Sequence, residues 1–566
     1  MHSSSKTSSW WTSGSAIVLY LAAVKLLIHL FTSGRYGIFR DELYYLACAE
    51  HLDWGYVDQP PLIALIAWFA RHVFGSSLIG LRLLPAIAGA TLVWLTGTLA
   101  RELGGGRFAQ AVAALAVLVA PMFLVFHHWL TMNAFEPLIW LGAAWCIARA
   151  INTGRPRFWL WFGALMGLGL ETKYSIVFFG FGIILGLLLT EHRRFLKDRW
   201  IWLGALAAFL IFLPNLLWLV KHDFPFLELM RNIRQSGRDV ARGPLAFIAD
   251  QAFIMNPILF PLWCGGLIWL FFGGTGKREE QLSGLTSSEL TGRGRYRIFG
   301  WTYLVMLVTF IVLKGKNYYL APAYPILFAA GAVAFERITS KQKQEAGAGG
   351  RPTKQVQEAG AGGTETSGPV DLPTAPASCS WLRVVYVAII ILGGVTLAPL
   401  SVPILSPETY LRYQQALGFE PSKTEHQDTG PLPQYFADEF GWEDMTRAVA
   451  QVYNSLSPEE RAQTAIFANS YGQAGAIDFF GPAYGLPKAI SKHQNYWYWG
   501  PRHYTGKIVI VLGSDGEGDR EHFKTVEEPA HTYHPYSRRD EHFPILLCRE
   551  LNQDLHSLWP SIKSWD

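Results

Sequence analysis

The sequence predicts an all-α polytopic membrane protein, with about eleven transmembrane helices and a C-terminal exoplasmic α/β domain. Three observations predict it. Half of the 566 residues are apolar and only 16% are charged, against roughly 25% in soluble domains. Apolar runs near the bilayer-crossing length of about 20 residues recur through the first 405 positions. After position 406 the runs shorten and turn residues become frequent. The formal net charge of +4 points to no nucleic-acid partner. Five scattered cysteines form no CxxC and no Cys/His metal spacing. Cys146 and Cys264 fall inside apolar runs, whereas Cys48 and Cys548 are candidates for one disulfide.

The apolar runs lie near 15–32, 78–100, 108–126, 134–151, 158–171, 174–190, 200–220, 252–273, 297–313, 318–337 and 381–404. The first lacks a small-residue cleavage site and reads as a retained anchor. The fifth and sixth are short and suggest a broken or tilted pair. Gly163, Gly167 and Gly169 lie in the fifth run without a preceding strand, which favours close helix packing over a nucleotide loop. Every second loop is basic: Arg101 and Arg107; Arg149, Arg155 and Arg157; Arg193, Arg194, Lys197 and Arg199; and Lys277 through Arg297. That pattern puts the N-terminus in the cytoplasm. The first outer loop, 33–77, and everything beyond the eleventh run then lie outside.

In that loop, Leu43–Leu52 and Leu62–Phe74 have the spacing of two short surface helices. Lys221–Asp250 has the pattern of an amphipathic interfacial helix, either resting on the membrane or gating a lipid groove. Residues 1–338 form the expected membrane domain. Residues 339–380 contain a near-duplicated Gly/Ala-rich segment and are expected to be a disordered cytoplasmic linker. Residues 381–405 are the last span and 406–566 the outer domain. There, Glu443–Ser455 and Gln473–Phe480 read as helices, and Thr464–Ala468 and Lys507–Leu512 as buried strands.

Chemistry concentrates at adjacent carboxylates, Asp41-Glu42, in the run Arg35-Tyr36-Gly37-Ile38-Phe39-Arg40-Asp41-Glu42-Leu43-Tyr44-Tyr45. Acids at the edge of a bilayer are costly to dehydrate and generally functional. Helix capping is the plainer alternative, because a helix N-terminus favours negative charge.

The order F-R-D-E-L-Y-Y, W-G-Y-V-D-Q-P-P-L and then a multi-span body resembles the polyprenyl-phosphate-sugar glycosyltransferases of the GT-C class, glycosyltransferase family 39. Protein mannosyltransferases and aminoarabinose transferases acting on lipid A belong to it. Weaker matches are Leu130–Pro137 and Lys316–Pro325. The resemblance covers 15 to about 337. It implies transfer of a sugar, with inversion, from a polyprenyl phosphate to an acceptor hydroxyl on the exoplasmic face of the bacterial inner or plasma membrane. Asp41 is then the general base, with Glu42 and Glu136 in support. Arg40, Tyr44, Asp58, Asn133, Lys173, Lys316, Tyr318 and Tyr319 are the implied substrate-binding residues.

Relatives often carry a second acid where this chain has Asn133, with Glu136 one helical turn on. Asn133 is neither a base nor a charged metal ligand, which puts a two-acid or divalent-cation-dependent site in doubt. No other cofactor is implied. Lys173 and Lys316 are the candidates for the lipid phosphate, with snorkelling to the interface as the alternative. Lys25 and His29 share one face of the first run without an assigned role. His127 and His128 read as interfacial. Asn469–Gln473 and Asn495–Pro501 are aromatic loops that suit sugar or acceptor binding, or simple anchoring. The implied partners are a polyprenyl-phosphate-linked sugar, membrane lipid and a protein, lipid or glycan acceptor. A lipid-linked sugar flippase and a non-catalytic binding relative are the competing functions.

Overall fold

The computed structural model describes residues 13–240, 242–273, 294–348, 380–420, 425–426 and 428–565, and only the backbone of 341–348 and 380. Helices dominate as far as residue 397. They are α1 (Gly14–Thr32), α2 (Arg40–Glu50), α3 (Leu62–Phe74), α4 (Leu78–Glu102), α5 (Arg107–Val119), α6 (Pro121–Phe126), α7 (Met132–Thr153) and α8 (Phe158–Leu170). Next come α9 (Ile176–Leu188), α10 (Arg199–Lys221), α11 (Pro225–Ser236), α12 (Pro244–Ile254), α13 (Phe260–Phe272), α14 (Arg297–Val312), α15 (Tyr324–Ala348) and α16 (Ser380–Leu397).

Local chemistry sets many of these limits. Ser13 and Ser77 accept from the backbone N–H three residues on, capping α1 and α4. Pro121 lacks an N–H, so the third run breaks into α5 and α6. Pro257 follows a 101° bend between α12 and the helical stretch that includes α13. At Gly163 an added Cβ would lie 2.0 Å from the Gly204 carbonyl oxygen, so α8 and α10 meet backbone to backbone.

Six of the described helices are long and apolar enough to cross a membrane, and eight if each of two bent pairs counts as one span. Leu62–Phe74, Arg107–Val119, Phe158–Leu170 and Arg297–Val312 are shorter apolar helices. The run expected to end at 337 continues helically to Ala348, ten residues into the expected linker. The rest of that linker, with Cys379, lies outside the described residues. The expected single helix over 221–250 is two helices, α11 and α12, separated at Gly237 and Gly243.

The C-terminal part is a small α/β unit. It contains α17 (Pro407–Ala416), α18 (Trp442–Ser455), α19 (Tyr471–Phe480), and strands β1 (Thr464–Ala468), β2 (Ile490–Ser491), β3 (Ile508–Leu512), β4 (Phe523–His531) and β5 (Pro544–Leu551). The strand order is β2-β1-β3-β5-β4. β1 pairs in parallel with β2 and β3, while β5 runs antiparallel to both β3 and β4.

One face of this unit's sheet packs into a core shared with the first loop, and the other carries a smaller core of its own. Leu43, Tyr44 and Leu46 of α2 and Ile63 and Ala67 of α3 share one buried cluster with Trp442, Ile466, Ala474 and Ile510. The two surface helices are thus the filling between the bundle and the sheet. Cys48 and Cys548, the candidates for a disulfide, are not paired. Both are buried free thiols, Cys48 in this shared core and Cys548 in a smaller one on the other side of the sheet.

Candidate active site at the junction of the bundle and the C-terminal unit

Asp41 occupies the first turn of α2. Its Oδ1 accepts a 2.8 Å hydrogen bond from the Tyr471 hydroxyl and lies 3.7 Å from Arg40 Nε. The carboxylate is 32% exposed, so it is neither in bulk water nor sealed in the core. Burial raises its pKa, against the pull of Arg40 and the Tyr471 hydroxyl, and Asp438 and Glu425 add to the rise. The Arg40 guanidinium stands 5.2 Å from the Tyr471 ring centroid, and its Nε has no hydrogen-bond partner among the described residues.

Asp58 joins the same group of residues. Its Oδ1 accepts from the Tyr44 hydroxyl at 3.0 Å. Burial pushes its pKa up to about 7, against that hydrogen bond. Asn495 of the C-terminal unit fixes the Asp58 loop by accepting from Val57 N at 2.7 Å.

Glu42 points elsewhere. It is fully buried and forked by Arg82, with Nε to Oε1 at 3.0 Å and Nη2 to Oε2 at 2.7 Å. Its oxygens also accept from Phe39 N at 2.9 Å and Leu130 N at 2.8 Å. Four donors occupy both of its oxygens. The geometry is that of a helix cap joined to a buried ion pair, touching Asp41 only through the chain.

A second cluster surrounds Lys173. Its Nζ donates to Asn133 Oδ1 at 2.7 Å and to Glu136 Oε2 at 3.2 Å. The Ser175 hydroxyl donates to the other Glu136 oxygen. The ammonium faces the rings of Tyr319 and Tyr318, 4.9 and 5.4 Å from their centroids. Five of the residues singled out in the sequence therefore meet here, drawn from α7, the α8–α9 turn and the 310 segment Asn317–Ala323.

Lys316 is held differently. It pairs with Glu425 at 2.6 Å and Asp239 at 3.4 Å, and Arg238 lies 3.3 Å from Asp239 and 4.0 Å from Glu425. Burial would raise the Glu425 carboxyl, but Lys316 and Arg40 hold it at about 2. This network ties the segment after α11 to the C-terminal unit, where residues 239 and 425 form a β-bridge.

His127 and His128, expected at the membrane interface, are fully buried inside the protein. His128 lies 3.3 Å from Arg82. Lys25 is likewise buried and donates to the Phe123 carbonyl at 2.9 Å. The aromatic loop at 495–501 anchors the unit, with Trp499 stacked on His51 at 4.3 Å and Tyr498 edge-on to His222 at 5.3 Å. Among the described residues, no group of three or more His, Cys, Asp or Glu side chains could hold a metal ion.

Arg82, Asp239, Glu425 and Asp438 carry no motif or spacing that would single them out in the sequence. Tyr471 and Asn495 did stand in the two aromatic loops already singled out. Nothing in their spacing tied them to α2, because that contact spans 430 residues.

Residues 58–218 match the family model described as dolichyl-phosphate-mannose-protein mannosyltransferase. That match begins after Asp41. The lipid A galacturonosyltransferase RgtD of Rhizobium johnstonii is 28% identical over 253 residues, covering 43% of this chain and 52% of that protein. The polyprenol-phosphate-mannose–protein mannosyltransferase of Corynebacterium glutamicum is 27% identical over 154 residues, covering 22% and 30%. The chain therefore spans about half the length of one curated relative and less of the other. Over 94% of its length it superposes on ArnT from Cupriavidus metallidurans, apo and bound to undecaprenyl phosphate. The TM-score is 0.55 with each, 97% of that chain is covered, and identities are 16% and 14%. The fold is shared.

Proposed function

We propose that this chain, which resembles the family-39 glycosyltransferases of the GT-C class in sequence and in fold, moves a sugar from a polyprenyl phosphate to an acceptor hydroxyl. One observation carries the reading. A partly exposed carboxylate, Asp41, is held by Tyr471 and Arg40 on one oxygen, and the same chain gathers a cation, Lys173, against the rings of Tyr318 and Tyr319.

Asp41 is the general base. It takes the proton of the acceptor hydroxyl as that oxygen attacks the anomeric carbon. The bond to the phosphate oxygen breaks on the opposite face, and its electron pair leaves with the polyprenyl phosphate, inverting the centre. A raised pKa suits the task, since a base works best near the ambient pH. Lys173 supports the leaving phosphate as a point charge, with Tyr318 and Tyr319 shaping its surroundings. Lys173 is preferred of the two lysines, because it meets one carboxylate, Glu136, at 3.2 Å, whereas Lys316 is neutralised by two, Glu425 and Asp239. Glu136 and Asn133 orient Lys173 rather than act on the acceptor. Glu42 holds α2 in place. Arg40, Tyr44 and Asp58 line the sugar side.

The chain crosses the membrane eleven times, with the N-terminus in the cytoplasm and the C-terminal unit on the exoplasmic face. The even distribution of basic loops supports that topology, as does the position of α2 and α3 against the C-terminal unit. The acceptor is a protein, lipid or glycan hydroxyl.

The test is transfer itself. Vesicles holding the purified chain receive labelled undecaprenyl-phosphate sugars and candidate acceptors. The reading requires free undecaprenyl phosphate and labelled acceptor. Movement of intact lipid-linked sugar across the bilayer, with no cleavage, would overturn it in favour of a flippase.

A further inference from the structure

We infer that Tyr471, from the C-terminal unit, is the positioning residue for Asp41: its hydroxyl takes up Oδ1 and leaves Oδ2 as the oxygen that receives the acceptor's proton. The inference rests on the transferase reading and goes beyond it. It makes docking of the C-terminal unit a condition for a correctly aimed base.

The geometry carries this. The Tyr471 hydroxyl is 2.8 Å from Asp41 Oδ1, and Arg40 Nε approaches that same oxygen. Among the described residues both protein contacts fall on Oδ1, which leaves Oδ2 to the substrate. The phenol itself is fixed from several directions. Its ring lies 4.8 Å from Tyr44 and stacks on His493 at 5.1 Å. Its backbone N–H donates to His493 Nδ1 at 3.2 Å. The helix that carries it, α19, is pressed onto α2. A Cβ on Gly475 would stand 2.9–3.1 Å from Leu43 atoms, and one on Gly472 only 2.6 Å from Arg40 Cγ. Side chains held in this way set a reacting group within a fraction of an ångström, which is where positioning gains its effect.

The hydroxyl also acts on charge. The groups facing Asp41 are Arg40 on its own helix, Asp438 and Glu425 from the C-terminal unit, Asp58 and Tyr45 from the first loop and its helix, and Tyr318. A hydrogen bond donated to the carboxylate favours its ionised form. Loss of the hydroxyl therefore raises the base's pKa. The acidic limb of the pH–rate profile must then move to higher pH.

The experiment uses the full chain in vesicles and compares Tyr471→Phe with the native residue and with 3-fluorotyrosine at the same position. Phenylalanine keeps the ring contacts and removes the donor, and the fluorinated ring is a stronger donor. The expected result is a roughly 10- to 100-fold fall in kcat for the Phe variant, the size of a lost hydrogen bond to a charged group. Its acidic limb should also rise by about one pH unit. The fluorinated chain should move the limb the other way. An unshifted limb in both chains, with Asp41→Asn inactive, overturns the positioning role and leaves the transferase reading intact. An active Asp41→Asn chain removes the base, and this inference with it.

Discussion

Arg82→Met should destabilise the protein severely without touching Asp41. Arg82 is fully buried, and its guanidinium holds α2, the segment between α1 and α2, and the C-terminal unit. It forks Glu42 on α2. It donates to the Ser33 carbonyl after α1 at 2.7 Å and to the Gly37 carbonyl at 2.9 Å. It reaches Glu439 of the C-terminal unit at 3.2 Å. Methionine fills most of the volume but strands the buried Glu42 carboxylate without a counter-charge and leaves the Glu439 carboxyl without its Arg82 contact. Removing one partner of a buried pair costs about 3–5 kcal/mol. The lost carbonyl contacts add to this, though neighbouring losses do not sum simply. Purified chains in one detergent would be unfolded by denaturant and followed by tryptophan fluorescence. Adding Glu42→Gln to Arg82→Met should recover part of the loss, because one stranded charge is gone. A single variant within about 0.5 kcal/mol of the parent, typical of a plain surface change, would refute the reasoning. So would a double variant less stable than the single one.

Other consequences can be measured on the same preparations. Burial, against Arg82 and helped by Glu42, pushes the Glu439 carboxyl up to about 8. The folded chain then holds a proton that the unfolded chain releases near 4.5. Stability should fall as pH rises through that window, and Glu439→Gln should flatten the fall in denaturation curves taken from pH 5 to 8. Lys173→Gln, made together with Glu136→Gln so that no buried carboxylate is stranded, should raise KM for the lipid-linked donor roughly 10- to 100-fold. Initial-rate kinetics at varied donor will show whether it does. Gly475→Ala forces α19 away from Leu43 and should cost about 1–3 kcal/mol as overpacking. Thermal melts would check the stability and transfer assays the accompanying loss of activity.

Much of the fold was legible because apolar runs report burial directly. Each of the eleven runs corresponds to one or more described helices, and Thr464–Ala468 stands where the sequence put it. The breaks were harder to read. Pro121 splits a run that hydropathy joins, and α12 meets the stretch with α13 at 101° although both are apolar. β4 was missed because its side chains are mostly exposed along an edge strand, leaving no apolar signal. At the site, Asn133, Glu136, Lys173, Tyr318 and Tyr319 were named singly, and the structure brings them together. Glu42 was expected to support Asp41, and the sequence does not show how far apart the two carboxylates point. They differ because adjacent residues on a helix point about 100° apart, which sends one carboxylate to Arg82 and the other to Tyr471. Arg82 itself lay in an apolar run with nothing to mark it, since its partners come from α2 and from position 439.

The base assignment is tested most directly by a single-turnover measurement on Asp41→Asn. Native chain and variant, at equal abundance in vesicles, receive one labelled undecaprenyl-phosphate sugar per enzyme with saturating acceptor. Asparagine keeps the size of the side chain and can still accept from Tyr471, but it cannot take a proton. The account predicts donor binding close to native and a transfer rate lower by about 10²–10⁴-fold, the range attributed to a positioned base. Transfer at the native rate by the asparagine chain would contradict it.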